Sequence, residues 1–177
     1  MPVEGYTALI GNMLRHEKIS LMLQTRWDDV REAFPGARIV FTGPIDEFFD
    51  CKHGRLPYRS LDLDWRTLEG ERVQNAAVIN YPEEFDFTRI TEMKWLTDQR
   101  GPKTVLVAEH PRAYEPGVNE PYYPIPREET RALYAKYEAE ARARPDVIFA
   151  GRLGTYQYLN MDQAVGAALA VFEKRIS

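Results

Sequence analysis

The chain has 177 residues, with 27 acidic against 23 basic side chains, a length that suits one domain or one domain and part of another. This balance lacks the basic excess of a general nucleic-acid-binding protein, and the single cysteine, Cys51, excludes an internal disulfide. One free thiol is typical of a reducing compartment, so we expect a cytoplasmic protein. No apolar run approaches the roughly 20 residues of a membrane span, and we expect no secretion signal. The three histidines are widely spaced, so we expect no metal site.

The first 44 residues predict four short elements. These are a helix over 7–14 with Thr7 as its N-cap, a strand over 19–25, a short helix over 28–34, and a buried strand from 37 that turns at Gly43. The order of helix, strand, helix and strand is typical of half of a doubly wound α/β unit. Such halves do not usually stand alone, and nothing before residue 7 predicts the strand that would come first.

The central part of the chain predicts an antiparallel sheet. Four runs alternate between apolar and polar residues, at 58–65, 73–81, 87–95 and 103–110. Short turns separate these runs, which is typical of consecutive antiparallel strands with one polar face.

Charged residues in the third of these runs allow two interpretations. Arg89, Glu92 and Lys94 form a surface ladder of charges in the commoner one. In the other, Arg89 lies between Phe87 and Trp95 and contributes to an anion site with an aromatic wall.

The segment at 121–126 is rich in proline and tyrosine, and its prolines favour an extended backbone. A charged helix is predicted over 127–143, with ion pairs Glu138–Arg142 and Glu140–Arg144 at four-residue spacing. We interpret this helix as a solvated face without a function of its own.

The last part of the chain predicts a strand in the short apolar run that begins at Val147, a turn at two glycines and a final helix that ends at 176. Asn160 is the expected N-cap of that helix, and Gln163 lies three positions further on, as in a capping box. A strand, a glycine turn and a capped helix N-terminus form a suitable anion site. An ordinary strand-to-helix connection is the equally weighted alternative.

Several short blocks occur together and in order: GYT at 5–7, TGPID at 42–46, AVINY at 77–81, FTRITE at 87–92, PYYPI at 121–125 and GRLGTY at 151–156. On these blocks the chain resembles the C-terminal part of UDP-galactopyranose mutases over nearly its whole length. Each block alone is weak, whereas the ordered set is specific.

The resemblance implies a mixed α/β (α+β) fold. It combines the C-terminal part of a Rossmann-like FAD-binding domain with an antiparallel β-sheet substrate domain. The implied segments are 1–46 in the FAD-binding domain, 47–125 in the substrate domain, and 126–177 returning to the FAD-binding domain.

The resemblance also implies an isomerase (intramolecular transferase) that interconverts UDP-galactopyranose and UDP-galactofuranose for the synthesis of surface galactofuranose. In that family reduced FAD is understood to attack the anomeric carbon through N5, giving a flavin N5–galactose adduct. The flavin is the nucleophile, so the resemblance implies no catalytic side chain.

The resemblance assigns two sets of site residues. Arg89 would hold the substrate diphosphate, and Tyr123 and Tyr158 would hydrogen-bond the phosphates near the sugar. Asn80 would contact the substrate. Arg152 would lie on the flavin side, and Leu21 would meet the adenine through its backbone. The start of the final helix would also face the cofactor, through Met161, Asp162, Gln163, Ala164, Val165 and Gly166.

Several departures from the family pattern bear on activity. Asn160 stands where aspartate is expected and Gln157 where arginine is expected, and the loop from Asn80 to Arg89 is one residue shorter. No G-x-G-x-x-G run is present, and neither the helical uridine-binding part nor a second diphosphate arginine is found. We therefore expect the isolated chain to be inactive.

Three alternatives remain open at this point. The chain is a non-catalytic nucleotide-sugar binding module, part of a different flavoprotein, or one half of a split flavoenzyme whose partner chain supplies the N-terminal half. A homodimer of the complete enzyme is compatible with the resemblance.

Overall fold

The structure, a computed structural model, describes residues 1–82 and 85–176 and shows a mixed α/β chain with an antiparallel sheet. The helices are α1 (Gly5–Met13), α2 (Trp27–Val30), α3 (Ile45–Phe48), α4 (Met93–Thr97), α5 (Glu128–Arg142), α6 (Gly151–Gly154) and α7 (Met161–Arg175). The strands are β1 (Ile39–Phe41), β2 (Tyr58–Glu69), β3 (Val78–Asn80), β4 (Arg89–Glu92), β5 (Lys103–Ala113), β6 (Tyr123–Pro124) and β7 (Val147–Phe149). Within the described ranges, no helix is long and apolar enough to cross a membrane.

The chain forms two compact units. Unit one contains Met1–Pro35 and Asp62–Pro111, and unit two contains Gly36–Leu61 and Arg112–Ser177. In unit one, β3, β4 and β5 are antiparallel neighbours, with Ile79 opposite Ile90 and Ile90 opposite Ala108. The predicted alternating strands at 58–65 and 103–110 are confirmed by β2 and β5.

The prediction for the N-terminal 35 residues is only partly right. Helix α1 is confirmed, but its N-cap is Glu4, so Thr7 lies inside the helix. The second predicted helix is a single turn, α2. The predicted strand at 19–25 is wrong, and Leu21 and Leu23 are 63% and 74% exposed. A strand needs a neighbour for its backbone hydrogen bonds, and no described strand pairs with this segment.

The two middle runs of the predicted sheet are shorter than expected. Only 78–80 of the run at 73–81 forms a strand, and the run at 87–95 ends as a strand at Glu92 and continues as α4. The surface-ladder interpretation is wrong for Glu92 and Lys94, which are 0% and 5% exposed. The Lys94 ammonium donates to the carbonyl of Gly101.

The Glu92 carboxylate explains why residues 73 and 74 do not join the predicted strand. It accepts the backbone N–H groups of Val73 and Gln74 at 3.0 and 2.8 Å, and the Thr104 hydroxyl at 2.7 Å. Burial by itself would raise the pKa of Glu92, but these hydrogen bonds outweigh burial and hold the pKa below its ordinary value.

Unit two has its core beneath α5. The cluster contains Ile45, Leu56, Tyr58, Tyr137 and Tyr156. Tyr137 of α5 is fully buried, and its hydroxyl donates to the Gly54 carbonyl at 2.6 Å. The prediction of a purely solvated helix is therefore wrong, because this face of α5 packs into the core.

The ion pairs of α5 differ in part from those predicted. Glu138 and Arg142 pair at 3.1 Å, as predicted. Glu140 instead contacts Lys52 and His53, at 2.6 and 2.9 Å, and Arg144 pairs with Asp146. Glu140 therefore pairs with the loop before β2, although helical spacing alone predicts a pair with Arg144.

The last part of unit two is close to its prediction. Strand β7 is confirmed and pairs in parallel with β1, with Val40 opposite Ile148. Val40 is 48% exposed, although its strand was predicted to be buried. The predicted glycine turn is a one-turn helix, α6. Asn160 is the N-cap of α7, and its backbone N–H donates to the Gln163 side chain at 2.8 Å, which confirms that part of the capping box.

Removing the Glu92 carboxylate should destabilise unit one. Glu92→Ala leaves two backbone N–H groups and a hydroxyl without their acceptor, and we expect a loss of about 3–5 kcal/mol. All three tryptophans, Trp27, Trp65 and Trp95, belong to unit one, so urea unfolding followed by tryptophan fluorescence measures this loss. Glu69→Ala, which removes an exposed ion pair with Lys103, is the matched control and should change stability by less than about 0.5 kcal/mol.

The same pair of variants should differ in their response to acid. Because folding lowers the pKa of Glu92, its contribution is present above the ordinary value of 4.5 and is lost as the pH falls through the lowered value. The difference between wild type and Glu92→Ala should therefore shrink below about pH 4.5. A difference that stays constant down to pH 3 would contradict this role.

Candidate functional site

The residues predicted for the site fall into two groups, each within its own unit. Asn80 and Arg89 lie in unit one, on β3 and β4. Tyr123, Arg152 and Tyr158 lie in unit two, on β6, on α6 and before α7.

Arg89 occupies the middle of a row of polar residues across three strands. Its Cα partner on β3 is Asn80, and its partner on β5 is Glu109. Directly opposed residues of an antiparallel pair project from the same face, so the three side chains share one face of the sheet. The Arg89 side chain is 46% exposed, and its Nε lies 3.8 Å from Glu109 Oε2. This distance is too long for a hydrogen bond, so the guanidinium is oriented by charge rather than tightly held.

The aromatic wall predicted beside Arg89 is wrong for Trp95. The Arg72 guanidinium lies over the Trp95 ring, with its central carbon 3.9 Å from the ring centroid. The Trp95 Nε1 donates to the Gln74 carbonyl. The reason is that β4 ends at Glu92, so Trp95 follows a helical path. Phe87 instead stacks on Phe85, with centroids 4.9 Å apart.

The group in unit two is a guanidinium with two phenol rings. Tyr123 and Tyr158 stack with centroids 5.4 Å apart and planes 24° apart. The Arg152 guanidinium carbon lies 5.0 Å from the Tyr123 ring centre and 5.6 Å from that of Tyr158. A cation at these distances is attracted by the ring faces. We call these three residues the Tyr–Arg–Tyr cluster.

The Tyr–Arg–Tyr cluster has the chemistry of an anion site. Arg152 supplies a permanent positive charge, and the two phenol hydroxyls are of a type that donates hydrogen bonds to phosphate oxygens. Tyr158 is 58% exposed, so a ligand can reach the cluster from solvent. The Nε of Arg152 also donates to the Leu159 carbonyl, which places the guanidinium beside the start of α7.

Tyr156 positions the cluster, although the sequence analysis assigned it no role. Its hydroxyl lies 2.8 Å from the Pro57 carbonyl and 3.0 Å from the Ile125 carbonyl, so it links the starts of β2 and of the segment after β6. Its backbone has φ of +48°, the left-handed region that is uncommon for non-glycine residues. This turn directs the chain from α6 towards Tyr158. No local sequence signal identifies such a residue, because its hydrogen-bond partners are remote in sequence.

The buried carboxylate of Asp46 supports the residues around Tyr156. Asp46 accepts the Leu56 backbone N–H at 2.9 Å and the Tyr58 hydroxyl at 3.0 Å. The Tyr58 ring packs edge-on against Tyr156, with centroids 5.4 Å apart. Burial raises the pKa of Asp46, and the two donors oppose that shift.

The cofactor residues predicted outside the cluster are exposed. Met161 is 66% exposed and Val165 60%, and every residue from Met161 to Gly166 except half-buried Ala164 is exposed. Leu21, in unit one, lies in an irregular segment rather than in the predicted strand. No cluster of three potential metal ligands occurs within 1–82 and 85–176.

A cavity of about 300 Å³ in unit two lies apart from the predicted residues. Its lining includes Tyr134, Arg142, Gln157 and Arg175, and none of the residues predicted to bind substrate or cofactor. The cavity therefore does not define the candidate site.

Comparison with known proteins identifies the family. The family model described as UDP-galactopyranose mutase matches residues 1–158. The chain belongs to the UDP-galactopyranose mutase family, as the resemblance predicted.

Individual relatives match over almost the whole chain. A probable UDP-galactopyranose mutase of Klebsiella pneumoniae is 38% identical, with 100% of this chain and 46% of the relative covered. The dTDP-fucopyranose mutase of Escherichia coli is 34% identical, with 96% and 46% covered. The UDP-galactopyranose mutase of Mycoplasma genitalium is 34% identical, with 93% and 44% covered. The chain thus spans about half the length of the curated relatives that it matches.

Removing the Tyr156 hydroxyl should loosen the Tyr–Arg–Tyr cluster. Tyr156→Phe keeps the ring but removes the donor to Pro57 and Ile125, and we expect a loss of about 1–2 kcal/mol in unit two. Hydrogen exchange followed by mass spectrometry should show faster exchange in peptides covering 122–126 and 156–160, with unchanged exchange in β4. Unchanged exchange in both of the first two peptides would contradict the positioning role.

Proposed function

We propose that this chain is the C-terminal part of a UDP-galactopyranose mutase, an isomerase that interconverts UDP-galactopyranose and UDP-galactofuranose with FAD as cofactor. The observation that carries the proposal is the Tyr–Arg–Tyr cluster, a half-buried guanidinium beside two stacked phenol rings near the start of a capped helix. This arrangement suits a phosphate-bearing ligand, and the named relatives are mutases of nucleotide sugars.

The substrate side of the proposed site uses charge and hydrogen bonds rather than a catalytic side chain. Arg89 binds the diphosphate, and Asn80, its neighbour across the strands, contacts the same ligand. Tyr123 and Tyr158 donate hydrogen bonds to the phosphates near the sugar. Glu109 restrains Arg89 from the opposite side, because its carboxylate attracts the guanidinium without sequestering it in a short hydrogen bond.

The cofactor side rests on fewer residues. Arg152 lies beside the N-terminus of α7, and a positive side chain next to a positive helix end fits an anionic cofactor. Residues Met161 to Gly166 would face FAD, with the backbone of Leu21 near the adenine. Reduced FAD, when bound, would supply the nucleophile for the anomeric carbon. Residues 1–177 contain no G-x-G-x-x-G turn to hold the pyrophosphate, so they fit the cofactor on one side only.

The proposal includes the domain assignment from the sequence. Residues 1–46 and 126–177 belong to a Rossmann-like FAD-binding domain, and 47–125 to the substrate domain. The parallel pairing of β1 with β7 supports the first assignment, since parallel strands are typical of doubly wound folds. The half-buried single thiol of Cys51 is compatible with the cytoplasmic location that we propose.

The isolated chain should retain little FAD and should not turn over substrate. Its cofactor contacts lack the glycine-rich cradle that aligns the pyrophosphate with a helix N-terminus. Gel filtration after incubation with oxidised FAD, or with reduced FAD that is reoxidised in air before the reading, followed by absorbance at 450 nm, measures retention. We expect well below one FAD per chain.

Two results would contradict parts of this proposal, one from FAD retention and one from a separate calorimetric measurement. Stoichiometric retention of FAD by residues 1–177 would contradict the one-sided cofactor site. Tight binding of UDP by the flavin-free chain, measured by calorimetry, would favour a nucleotide-sugar binding module without turnover.

Arg89 should be needed for activity in a complete enzyme. A chimera in which residues 1–177 replace the matching part of the Klebsiella pneumoniae relative supplies such an enzyme. Arg89→Ala should lower kcat/KM for UDP-galactofuranose roughly 10- to 100-fold, because a charge-assisted contact contributes about 1.5–3 kcal/mol. Arg89→Lys should recover part of the loss.

The control is Arg66→Ala, which removes an exposed guanidinium that pairs with Asp64 two residues away on β2. We expect kcat/KM to be unchanged in this variant. An Arg89→Ala chimera as active as the parent chimera would exclude the diphosphate role.

A further inference from the structure

Three aromatic rings join the two ends of the connection between β3 and β4. Phe85 and Phe87 stack with centroids 4.9 Å apart and planes 15° apart. Tyr81 lies edge-on to both, with its centroid 5.3 Å from that of Phe85 and 5.1 Å from that of Phe87. Each ring therefore contacts the other two, in the stacked and T-shaped arrangements that aromatic pairs favour. We call these three residues the aromatic trio.

The aromatic trio lies directly beside two residues of the proposed substrate site. Tyr81 follows Asn80, and Phe87 precedes Arg89 by two residues. The Tyr81 backbone N–H donates to the Thr88 carbonyl at 2.9 Å. This bond lies one step beyond the opposed pair Asn80 and Arg89. The last backbone hydrogen bond of the hairpin and the ring contacts thus hold the same end of the two strands.

Strand β3 needs this support because it has few other partners. It is three residues long and lies at one end of its sheet, so β4 is its only strand neighbour among residues 1–82 and 85–176. A strand this short gains little from its own ladder, and closing the connection 81–88 costs chain entropy. Strand β4 is better held, since the Thr88 backbone N–H donates to the Glu109 carbonyl of β5 at 2.9 Å.

The aromatic trio is also anchored to β5, the strand that orients Arg89. Phe87 packs edge-on against His110, with centroids 5.9 Å apart and planes 74° apart. The next residue along β5, Glu109, attracts the Arg89 guanidinium, with 3.8 Å between Oε2 and Nε. Strand β5 is therefore a common support for Arg89 and for the trio, and the trio connects that support to Asn80 on the outermost strand.

We propose that the aromatic trio positions Asn80 opposite Arg89, so that an amide and a guanidinium reach one ligand together, and that Phe85 is a positioning residue for this pair. The inference rests on the proposed function, in which Asn80 and Arg89 contact the same substrate. Phe85 is 52% exposed, so its side chain contributes little to the core of unit one. Its effect on Asn80 can therefore be separated from an effect on folding.

Kinetics of the chimera with the Klebsiella pneumoniae relative test the proposal. Phe85→Ala should raise KM for UDP-galactofuranose about 3- to 10-fold, the loss of roughly one neutral hydrogen bond, while kcat changes less than about twofold. Phe85→Tyr keeps the stacked ring and should restore the parent KM. Phe85→Leu keeps an apolar side chain without a ring, and it should show most of the increase.

A double-mutant cycle shows whether Phe85 acts through Asn80. Asn80→Ala should raise KM by a similar factor, and adding Phe85→Ala should then raise it less than about twofold further. A side chain that only stabilised unit one would instead give the product of the two single effects. Val118→Ala shortens an apolar side chain that is 75% exposed, and this control should leave KM unchanged.

Hydrogen exchange of residues 1–177 tests the positioning without any activity. In Phe85→Ala, peptides covering β3 and the connection 81–88 should exchange faster, because the end of β3 loses its ring contacts. Peptides covering β2 and residues 156–160 should exchange as in the wild-type chain. Phe85→Tyr should match the wild-type chain throughout.

Three results would overturn the proposal. They are an unchanged KM in an active Phe85→Ala chimera, effects of Phe85→Ala and Asn80→Ala that multiply, and unchanged exchange of β3 in the Phe85→Ala chain. An inactive parent chimera would contradict the proposed activity instead. Faster exchange of β3 in Phe85→Ala would still support the positioning role in that case.

Discussion

The buried carboxylate of Asp46 is the constraint on which the organisation of unit two depends. A carboxylate that is 2% exposed is costly unless donors surround it, and here the donors come from Leu56 and Tyr58, at the start of β2. Their hydrogen bonds fix where β2 begins relative to α3. The register of β2 then places Tyr123 opposite Arg59, and Tyr156 packs on Tyr58. The hydrogen bonds of the buried Asp46 carboxylate thus help to position the Tyr–Arg–Tyr cluster.

The candidate site uses rigid supports for exposed functional groups. Tyr156 is 5% exposed and anchored at its hydroxyl, whereas Tyr158, two residues later, is 58% exposed. Arg89 follows the same logic in unit one, where its strand ends at the fully buried Glu92 and its own side chain extends into solvent. Such a division lets a ligand displace water from a guanidinium without the backbone having to reorganise, which lowers the entropic cost of binding.

The exposed apolar surfaces are as informative as the site. Helix α7 exposes four large apolar side chains at helical spacing, Met161, Val165, Leu169 and Phe172. The relatives named above are about twice as long as this chain.

The sequence by itself determined the family, through ordered blocks such as TGPID and FTRITE, and the elements whose signals are local. Helix α7 with its Asn160 cap, and strands β2 and β5, follow from spacing and capping. Only the tertiary structure decided that residues 19–25 form no strand, that Glu92 is buried, and that Glu109 lies beside Arg89. Periodicity records which residues are apolar along one element. Strand pairing and burial depend on partners 18 or 20 residues away, and no local pattern encodes them.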